Sequence, residues 1–378
     1  MIYFDNGATT PVCDSAAKAA LEAMKESFGN PSSIHKVGQA AKAIEESARK
    51  RLASLAKGFT PSEVIFTSSG TEANNLAISG VLKRLARRGG RVCLSSTEHA
   101  SVTAVFKEWS DFFEIAYFEP DSDGRITKEE IESKIDENTV FVSLMLINNE
   151  TGAKNDLFAV KPALEKVGAK AVVHTDCVAA FGKTELPSKK EADLISVSGH
   201  KINAAKGVGA LFASKDVLLK PLIVGGGQEK GLRSGTENVP AIASLEAAIE
   251  EHFKDLSAVK AHYDELFYYA LSGLYDIGGV CSNTCDNSSH AVLNISVIGI
   301  PSEVLVRFLQ DRDIYLSPAS ACSSNKGGHS TVLKAMRLSP ERQKSAVRIS
   351  FGIQNTKDEV DKLCCAVSDA VEYFKKKH

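Results

Sequence analysis

Between Pro61 and Phe212 the chain repeats one pattern: a short apolar run, an amphipathic stretch, then another apolar run. The runs are EVIFT, RVCLSS, EIAYF, VFVSLMLI, AVVHTD, DLISVS and VGALF. Stretches such as TEANNLAISGVLKRLARR and LFAVKPALEKVGA lie between most of them. Short unbroken apolar runs suit strands covered on both faces, and the amphipathic stretches suit helices that cross over between them. The expected fold class is therefore α/β with a mostly parallel sheet. After Val239 comes one long helical stretch, roughly AIASLEAAIEEHFKDLSAVKAHYDELFYYALSGL. A second alternation follows: AVLNISV, SEVLVRFLQDRD, AVRISF and KDEVDKLCCAVSDAVEYFKK. These predict a smaller α/β domain joined through the long helix. A length of 378 residues is enough for two domains.

Bulk properties exclude several function classes. The formal net charge is −2 with both signs dispersed, which argues against direct nucleic-acid or membrane-surface binding. The mid-chain run VFVSLMLI is far short of the roughly 20 residues that span a bilayer. The start, MIYFDNGATTPV, has an early Asp and no basic segment before an apolar one, so no signal peptide is expected and the expected location is cytoplasmic. Several of the eight cysteines sit inside apolar patterns, as reduced thiols do. Cys281 and Cys285 have no second ligand pair at zinc spacing, so no metal site is expected.

In open α/β sheets, ligands bind at the carboxyl ends of the strands. EVIFT is followed by SSGTEANN, RVCLSS by TEHAS with His99, and VFVSLMLI by NNETG with Asn149. AVVHTD ends in Asp176, and DLISV runs into SGHK with Ser198, His200 and Lys201. Taken singly, each reads as a cap, a turn or a solvated loop, and Lys201 as a surface lysine. Taken together they describe one ligand. Ser69, Gly70 and Thr71 at a helix start form an anion cup. The stretch is neither G-x-G-x-x-G nor G-x-x-x-x-G-K-[ST], which argues against a dinucleotide or a nucleoside triphosphate. Ser198 and His200 could add donors to the same phosphate. Asp176 could pair with a protonated ring nitrogen, and Lys201 could bind a carbonyl carbon covalently. A phosphate cup, a carboxylate and a lysine are what pyridoxal 5′-phosphate asks of a protein.

At this point the motifs resemble a known family. From YFDNGATTPV through GNPSSIH, FTSSGTEANN, TEHASV, NNETG, HTDCV, SGHK and GGGQEKGLRSGTENVP to SACSS and VRISFG, the chain is similar to the cysteine desulfurases. These are fold-type I pyridoxal-phosphate enzymes of the class V aminotransferase group. The spacing from Cys322 to VLKAM resembles the longer-loop class, which serves iron–sulfur cluster assembly and thiolation pathways. The resemblance implies a large cofactor-binding domain over residues 15–255, and a small domain of residues 1–14 and 256–378 that carries the cysteine loop. It implies that Lys201 holds the cofactor and moves protons, that Asp176 faces the pyridine nitrogen, and that His99 stacks on the ring and acts in acid–base steps. Asn149 would lie near ring and substrate. Thr71, Ser198, His200 and the Gly70 N–H would bind phosphate. Thr236 would reach the phosphate of a partner subunit, which implies a homodimer. Arg348 would clamp the substrate carboxylate, and Cys322 would be the nucleophile. The implied substrate is L-cysteine, and the implied partner is a sulfur acceptor such as an iron–sulfur scaffold or a thiolation protein.

The chain departs from the family in places. Where a glutamine usually follows the ring-facing aspartate by three residues, Ala179 stands, and it cannot donate to the ring's phenolic oxygen. SSGTE replaces SGATE, INAAKG lacks the common Gly-Pro pair, Ala319 stands before Cys322 where glycine is usual, and DNGATT replaces DNAATT. No carried-over catalytic group is lost. The competing readings are another lyase or transaminase on this scaffold, acting on selenocysteine or cysteine sulfinate, and a catalytically weak scaffold protein.

Overall fold

The computed structural model describes residues 1–319 and 330–376. It begins with strand β1 (Ile2–Tyr3) and helices α1 (Asp14–Lys25) and α2 (Lys36–Leu55). The alternating region then runs β2 (Val64–Thr67), α3 (Gly70–Leu85), β3 (Arg91–Ser95), α4 (Ala100–Glu108), β4 (Glu114–Phe118) and α5 (Lys128–Lys134). It continues with β5 (Thr139–Ser143), α6 (Val160–Lys166), β6 (Val172–Asp176), β7 (Leu194–Ser198) and β8 (Gly209–Ala213). Strands β2 to β8 form one seven-stranded sheet in the order β2-β8-β7-β6-β5-β3-β4. All seven apolar runs are thus strands of a single sheet. Those from β7 across to β4 are parallel, while β8 is antiparallel to both of its neighbours. The link between β7 and β8 contains no helix beyond one 3₁₀ turn, Gly199–Lys201. A parallel return needs a crossover of a dozen or more residues, so the chain turns straight back. The run VFVSLMLI is shorter as a strand than its apolar length predicts. β5 stops at Ser143, although Leu144 and Leu146 still donate to the carbonyls of His174 and Asp176.

The remainder comprises α7 (Val239–Phe253), α8 (Leu256–Tyr275), β9 (Val280–Ser282), β10 (Val292–Val297), α9 (Ser302–Gln310), β11 (Ile314–Tyr315) and β12 (Ser317–Pro318). Beyond residue 330 follow α10 (Thr331–Ala335), α11 (Pro340–Lys344), β13 (Ala346–Ser350) and α12 (Lys357–Lys375). Strands β12-β13-β10-β9 make a four-stranded antiparallel sheet. The one long helix expected after Val239 is two helices. Asp255 leaves helical geometry, and its Oδ1 accepts from the Ala258 N–H at 2.9 Å, which caps a new helix. The break lets α7 bury Ile242, Leu245 and Ile249 in the core of the large sheet, while α8 buries Leu266, Phe267 and Leu274 in a second core.

The first residues of the chain belong to that second core. β1 pairs with β11, and Phe4 meets Phe351 edge-on at 5.8 Å. From there residues 5–13 cross to the carboxyl ends of the large sheet, where the Thr10 and Cys13 N–H groups donate to His200 and Asn203 at 3.0 Å. This crossing strap and β13 close over one rim of the sheet.

Candidate active site

The carboxyl ends of β2, β3, β5, β6 and β7 converge on a cavity of about 340 Å³. It is lined by Gly70 and Thr71, His99, Asn149, Asp176, His200 with Lys201, and Arg348 from β13. Seven of the eleven residues singled out from sequence sit at the strand ends of one rim because β3, β5, β6 and β7 run parallel, and β2, two antiparallel steps from β7 across β8, points the same way. Ser198 backs the cavity, Thr236 does not line it, and Cys322 lies outside the described residues. Ala319 and Thr331 do line it.

The anion cup starts at β2. Ser69 caps α3 by accepting from the Glu72 N–H at 3.2 Å. The Gly70 and Thr71 N–H groups head a 16-residue helix and have no carbonyl one turn back. A Cβ on Gly70 would stand 2.5 Å from Val178 Cγ2, so only glycine lets the segment after β6 come this close, while Ser198 Cβ at 3.4 Å would be in ordinary contact. Ser198 Oγ is buried with no hydrogen-bond partner. A buried hydroxyl in that state costs about 1–3 kcal/mol, which a bound acceptor would offset. His200 Nδ1 meets Thr9 Oγ1 at 3.2 Å. Burial, reinforced by Lys201, Lys206 and Lys183, pushes its imidazole down to about 4, so it is neutral near pH 7. A helix start and an orphan hydroxyl beside it fit a phosphate.

Beside the cup, Asp176 is the last residue of β6. Its Oδ1 accepts from the Val178 N–H and its Oδ2 from Asn74 Nδ2, each at 2.8 Å. Lys201 Nζ donates to the carbonyls of Gly7 and Ala8, so the crossing strap reaches the lysine directly. These groups fit pyridoxal 5′-phosphate: an acceptor for the ring nitrogen, a cup for the phosphate and a lysine in the same cavity. Arg348 lies mid-strand in β13, with its side chain only 4% exposed. Its Nη1 donates to the Asn149 carbonyl at 3.1 Å, its Nη2 to Asp5 Oδ1 at 3.0 Å, and its Nε is buried without a partner. The guanidinium is held on two sides and keeps donors for a carboxylate. A Cβ on Gly7 would lie 3.2 Å from Arg348 Cζ and 2.9 Å from Ser350 Oγ, so the glycine of DNGATT makes room for this side chain.

His99 caps α4, its Nδ1 accepting from the Ser101 N–H at 3.1 Å. Burial pushes its pKa down, opposed by Asp176 and aided by Lys201. Three further titratable groups, Glu98 and Glu150 in the cavity lining and Lys183 behind it, were not singled out from sequence. Glu98 Oε1 accepts from the Met145 N–H at 2.6 Å while Oε2 has no partner, and burial together with Asp176 pushes the carboxyl up to about 8. Glu150 accepts from the Ser330 hydroxyl, and burial pushes it up to about 7 against Ser330 and Arg348. Lys183 donates to the Ala179 carbonyl at 3.0 Å, and burial, with Lys201 and Arg348 nearby, pushes it down to about 7. Glu98 and Glu150 each adjoin a residue already chosen, in TEH and NNETG, and adjacency was the available signal. Among the described residues no group of His, Cys, Asp or Glu is arranged to hold a metal ion.

Comparison with known proteins agrees with this arrangement. The family model described as Aminotransferase class-V matches residues 2–363. A protein of Lactobacillus delbrueckii subsp. bulgaricus named NifS/IcsS protein homolog is 36% identical, covering 100% of this chain and 98% of that relative. A protein of Archaeoglobus fulgidus named cysteine desulfurase IscS 1 is also 36% identical, covering 98% and 97%. A solved NifS-like protein superimposes with a TM-score of 0.92 at 34% identity, covering 98% of this chain and 99% of the other. The protein SspA, solved in complex with cysteine, superimposes at 0.81 with 29% identity, covering 93% and 99%.

Proposed function

The chain belongs to the aminotransferase class-V family, and from that membership we propose that it is a pyridoxal-phosphate-dependent cysteine desulfurase. The observation that carries the reading is the single cavity in which Asp176, Lys201, the α3 start and the Arg348 fork face one another. Relatives named cysteine desulfurase at 36% identity over nearly the whole chain support the choice of substrate.

Each residue then has a task. Gly70, Thr71, Ser198 and His200 hold the cofactor's phosphate, and Asp176 keeps a proton on its ring nitrogen. When bound, the cofactor supplies an electron sink for the pair left on the substrate's α-carbon. Arg348 binds the substrate carboxylate through its planar fork and so fixes which bonds at the α-carbon face the ring. Lys201 Nζ takes the α-proton and later returns a proton to carbon. The Cys322 thiolate attacks the sulfur of L-cysteine. The new S–S bond forms as the C–S bond breaks, and the pair stays with carbon. L-cysteine and a cysteine thiol thereby become L-alanine and a persulfide.

Several finer points are part of the same proposal. The protein works as a homodimer, because Thr236 is exposed and stands away from the cavity of its own chain. The persulfide passes to an acceptor protein for iron–sulfur cluster assembly or thiolation. The seven described cysteines are all unbridged, in keeping with a reducing, cytoplasmic setting.

The test is direct. With L-cysteine and a reductant, the protein should release equal amounts of alanine and sulfide. Without reductant, Cys322 should gain the mass of one sulfur. Cys322→Ser should still bind L-cysteine, seen as a spectral change on mixing, yet lose nearly all release, because a hydroxyl is far less acidic and less sulfur-seeking than a thiol. Full turnover by Cys322→Ser would make a lyase or transaminase with another substrate the better description.

A further inference from the structure

His99 has two ring nitrogens, and the hydrogen bonds around it decide which one carries the proton. The chain of bonds starts at Asp176, whose carboxylate oxygens can only accept. Asn74 Nδ2 lies 2.8 Å from Oδ2, which fixes the orientation of the Asn74 amide. The other Nδ2 hydrogen goes to Ser101 Oγ at 2.9 Å. Having accepted there, Ser101 Oγ has its own hydrogen for His99 Nδ1, 2.8 Å away. The Ser101 N–H donates to the same nitrogen at 3.1 Å. A nitrogen that accepts twice carries no proton.

We infer that Asn74 and Ser101 are positioning residues that hold His99 neutral with its proton on Nε2, so that His99 meets the substrate as a hydrogen-bond donor and not as a base. The backbone strengthens the arrangement. The Ser101 N–H is one of the orphan donors at the start of α4, and the positive end of a helix disfavours an imidazolium. The charged groups facing the ring are Asp176 on β6, which favours the imidazolium, and Lys201 beyond β7, which opposes it together with burial. On its own segment, Glu98 turns its carboxyl to the Met145 N–H. The rigid pair of donors from Ser101 therefore tips a contested site toward the neutral ring.

The consequence rests on the desulfurase reading, although the tautomer does not. If Nε2 already carries a proton, it cannot accept one from the substrate's α-carbon or from Cys322. Proton removal at the α-carbon then falls to Lys201 Nζ alone. His99 contributes an N–H to charge that builds up on substrate or ring. This revises the general acid–base role that the resemblance implies for His99.

Nitrogen NMR of the holoenzyme labelled at histidine, without substrate, tests the inference independently of any turnover. The His99 signals are assigned by their loss in His99→Gln. Near pH 7 Nδ1 should show the signature of an unprotonated ring nitrogen and Nε2 that of a protonated one. Ser101→Ala removes one of two donors to the neutral ring, so the His99 titration should move up by roughly half to one pH unit, and Ser101→Thr should restore it. A protonated Nδ1 in the wild type would overturn the inference, as would a Ser101→Ala protein with the same tautomer and the same titration. Failure of sulfide release from L-cysteine with the expected tautomer in place would sink the functional reading and leave the tautomer standing.

Discussion

The two rims of the large sheet treat buried carboxyl groups in opposite ways. At the amino-end rim, Glu63 precedes β2 and is 3% exposed. It accepts from Lys189 Nζ at 2.5 Å, from the Lys215 N–H at 2.7 Å, and from the Thr60 N–H and hydroxyl at 3.0 Å. Burial would push its carboxyl up, but these donors outweigh it and hold the group at about 2. At the carboxyl-end rim, Glu98 is 6% exposed, has one donor, and is pushed up to about 8. Asn74 Oδ1, Ser198 Oγ and Arg348 Nε share this rim and are also buried without partners. Both carboxyls are shielded from solvent, but Glu63 is met by several donors while Glu98 lies deeper with one, and the two shift in opposite directions. One rim is complete within the chain, and the other keeps polar atoms for a ligand to complete.

The sharpest way to test that difference is to remove a group from the carboxyl-end rim and read activity against stability. Lys201→Ala should lower sulfide release by about 10³-fold or more, the scale of losing a covalent and proton-transfer group. The melting temperature of the protein without cofactor should barely move. Borohydride treatment of the wild type followed by peptide mapping should mark Lys201. A mark on Lys183 or Lys206 would shift the centre of the site to another part of the rim.

The amino-end rim should respond the other way. Glu63→Gln leaves Lys189 without its closest counter-charge and should cost about 3 kcal/mol near pH 7, with turnover at permissive temperature unchanged. The native pKa lies below the ordinary 4.5, so the stability Glu63 contributes is present above 4.5 and is lost as pH falls through about 2. Denaturant titrations of the two proteins should therefore differ at pH 7 and converge toward pH 2. A constant gap would mean that packing, not charge, explains the loss.

Glu98→Gln should show the reversed sign. Its native pKa is raised, so the stability tied to the protonated form is present below 4.5 and is lost as pH rises through about 8. The variant should match the wild type at low pH and be the more stable of the two at pH 9, the gap opening as pH rises from 4.5 to about 8. A wild type that is the more stable of the two at pH 9 would erase the contrast between the rims.

The same contrast explains what was legible in the sequence. Strands buried on both faces leave unbroken apolar runs, so all seven could be read, and the parallel order put SGTE, TEH, NNET, HTD and SGHK on one rim. Asp255 was missed as a break because an aspartate inside a helical pattern looks like a solvated position until its side chain turns to cap Ala258. Glu98, Glu150 and Lys183 were missed because their perturbation comes from burial and from long-range neighbours, which spacing along the chain does not encode. Asn74 and Ser101 were missed for a related reason. Their link to His99 joins α3, α4 and β6, and only the folded sheet brings those three together.

Ala179 offers the smallest and most specific probe of the unfinished rim. It lines the cavity, and Lys183 pins its carbonyl, so the backbone there is held while the side chain contributes no donor. The family resemblance places a glutamine amide at this position, directed at the phenolic oxygen of the cofactor. A hydrogen bond to a charged oxygen is worth about 1.5–3 kcal/mol, and one pKa unit corresponds to about 1.4 kcal/mol. A donor at this position stabilises the deprotonated oxygen and lowers its pKa. Ala179→Gln should therefore shift the pH dependence of the visible absorption band of the cofactor-loaded protein down by roughly one to two units. Cofactor binding through Asp176 and the anion cup should be unaffected. A band that titrates identically in both proteins would mean that the wild type already supplies a donor there, from water or from a neighbouring side chain. The carboxyl-end rim would then be less open than its partnerless atoms indicate.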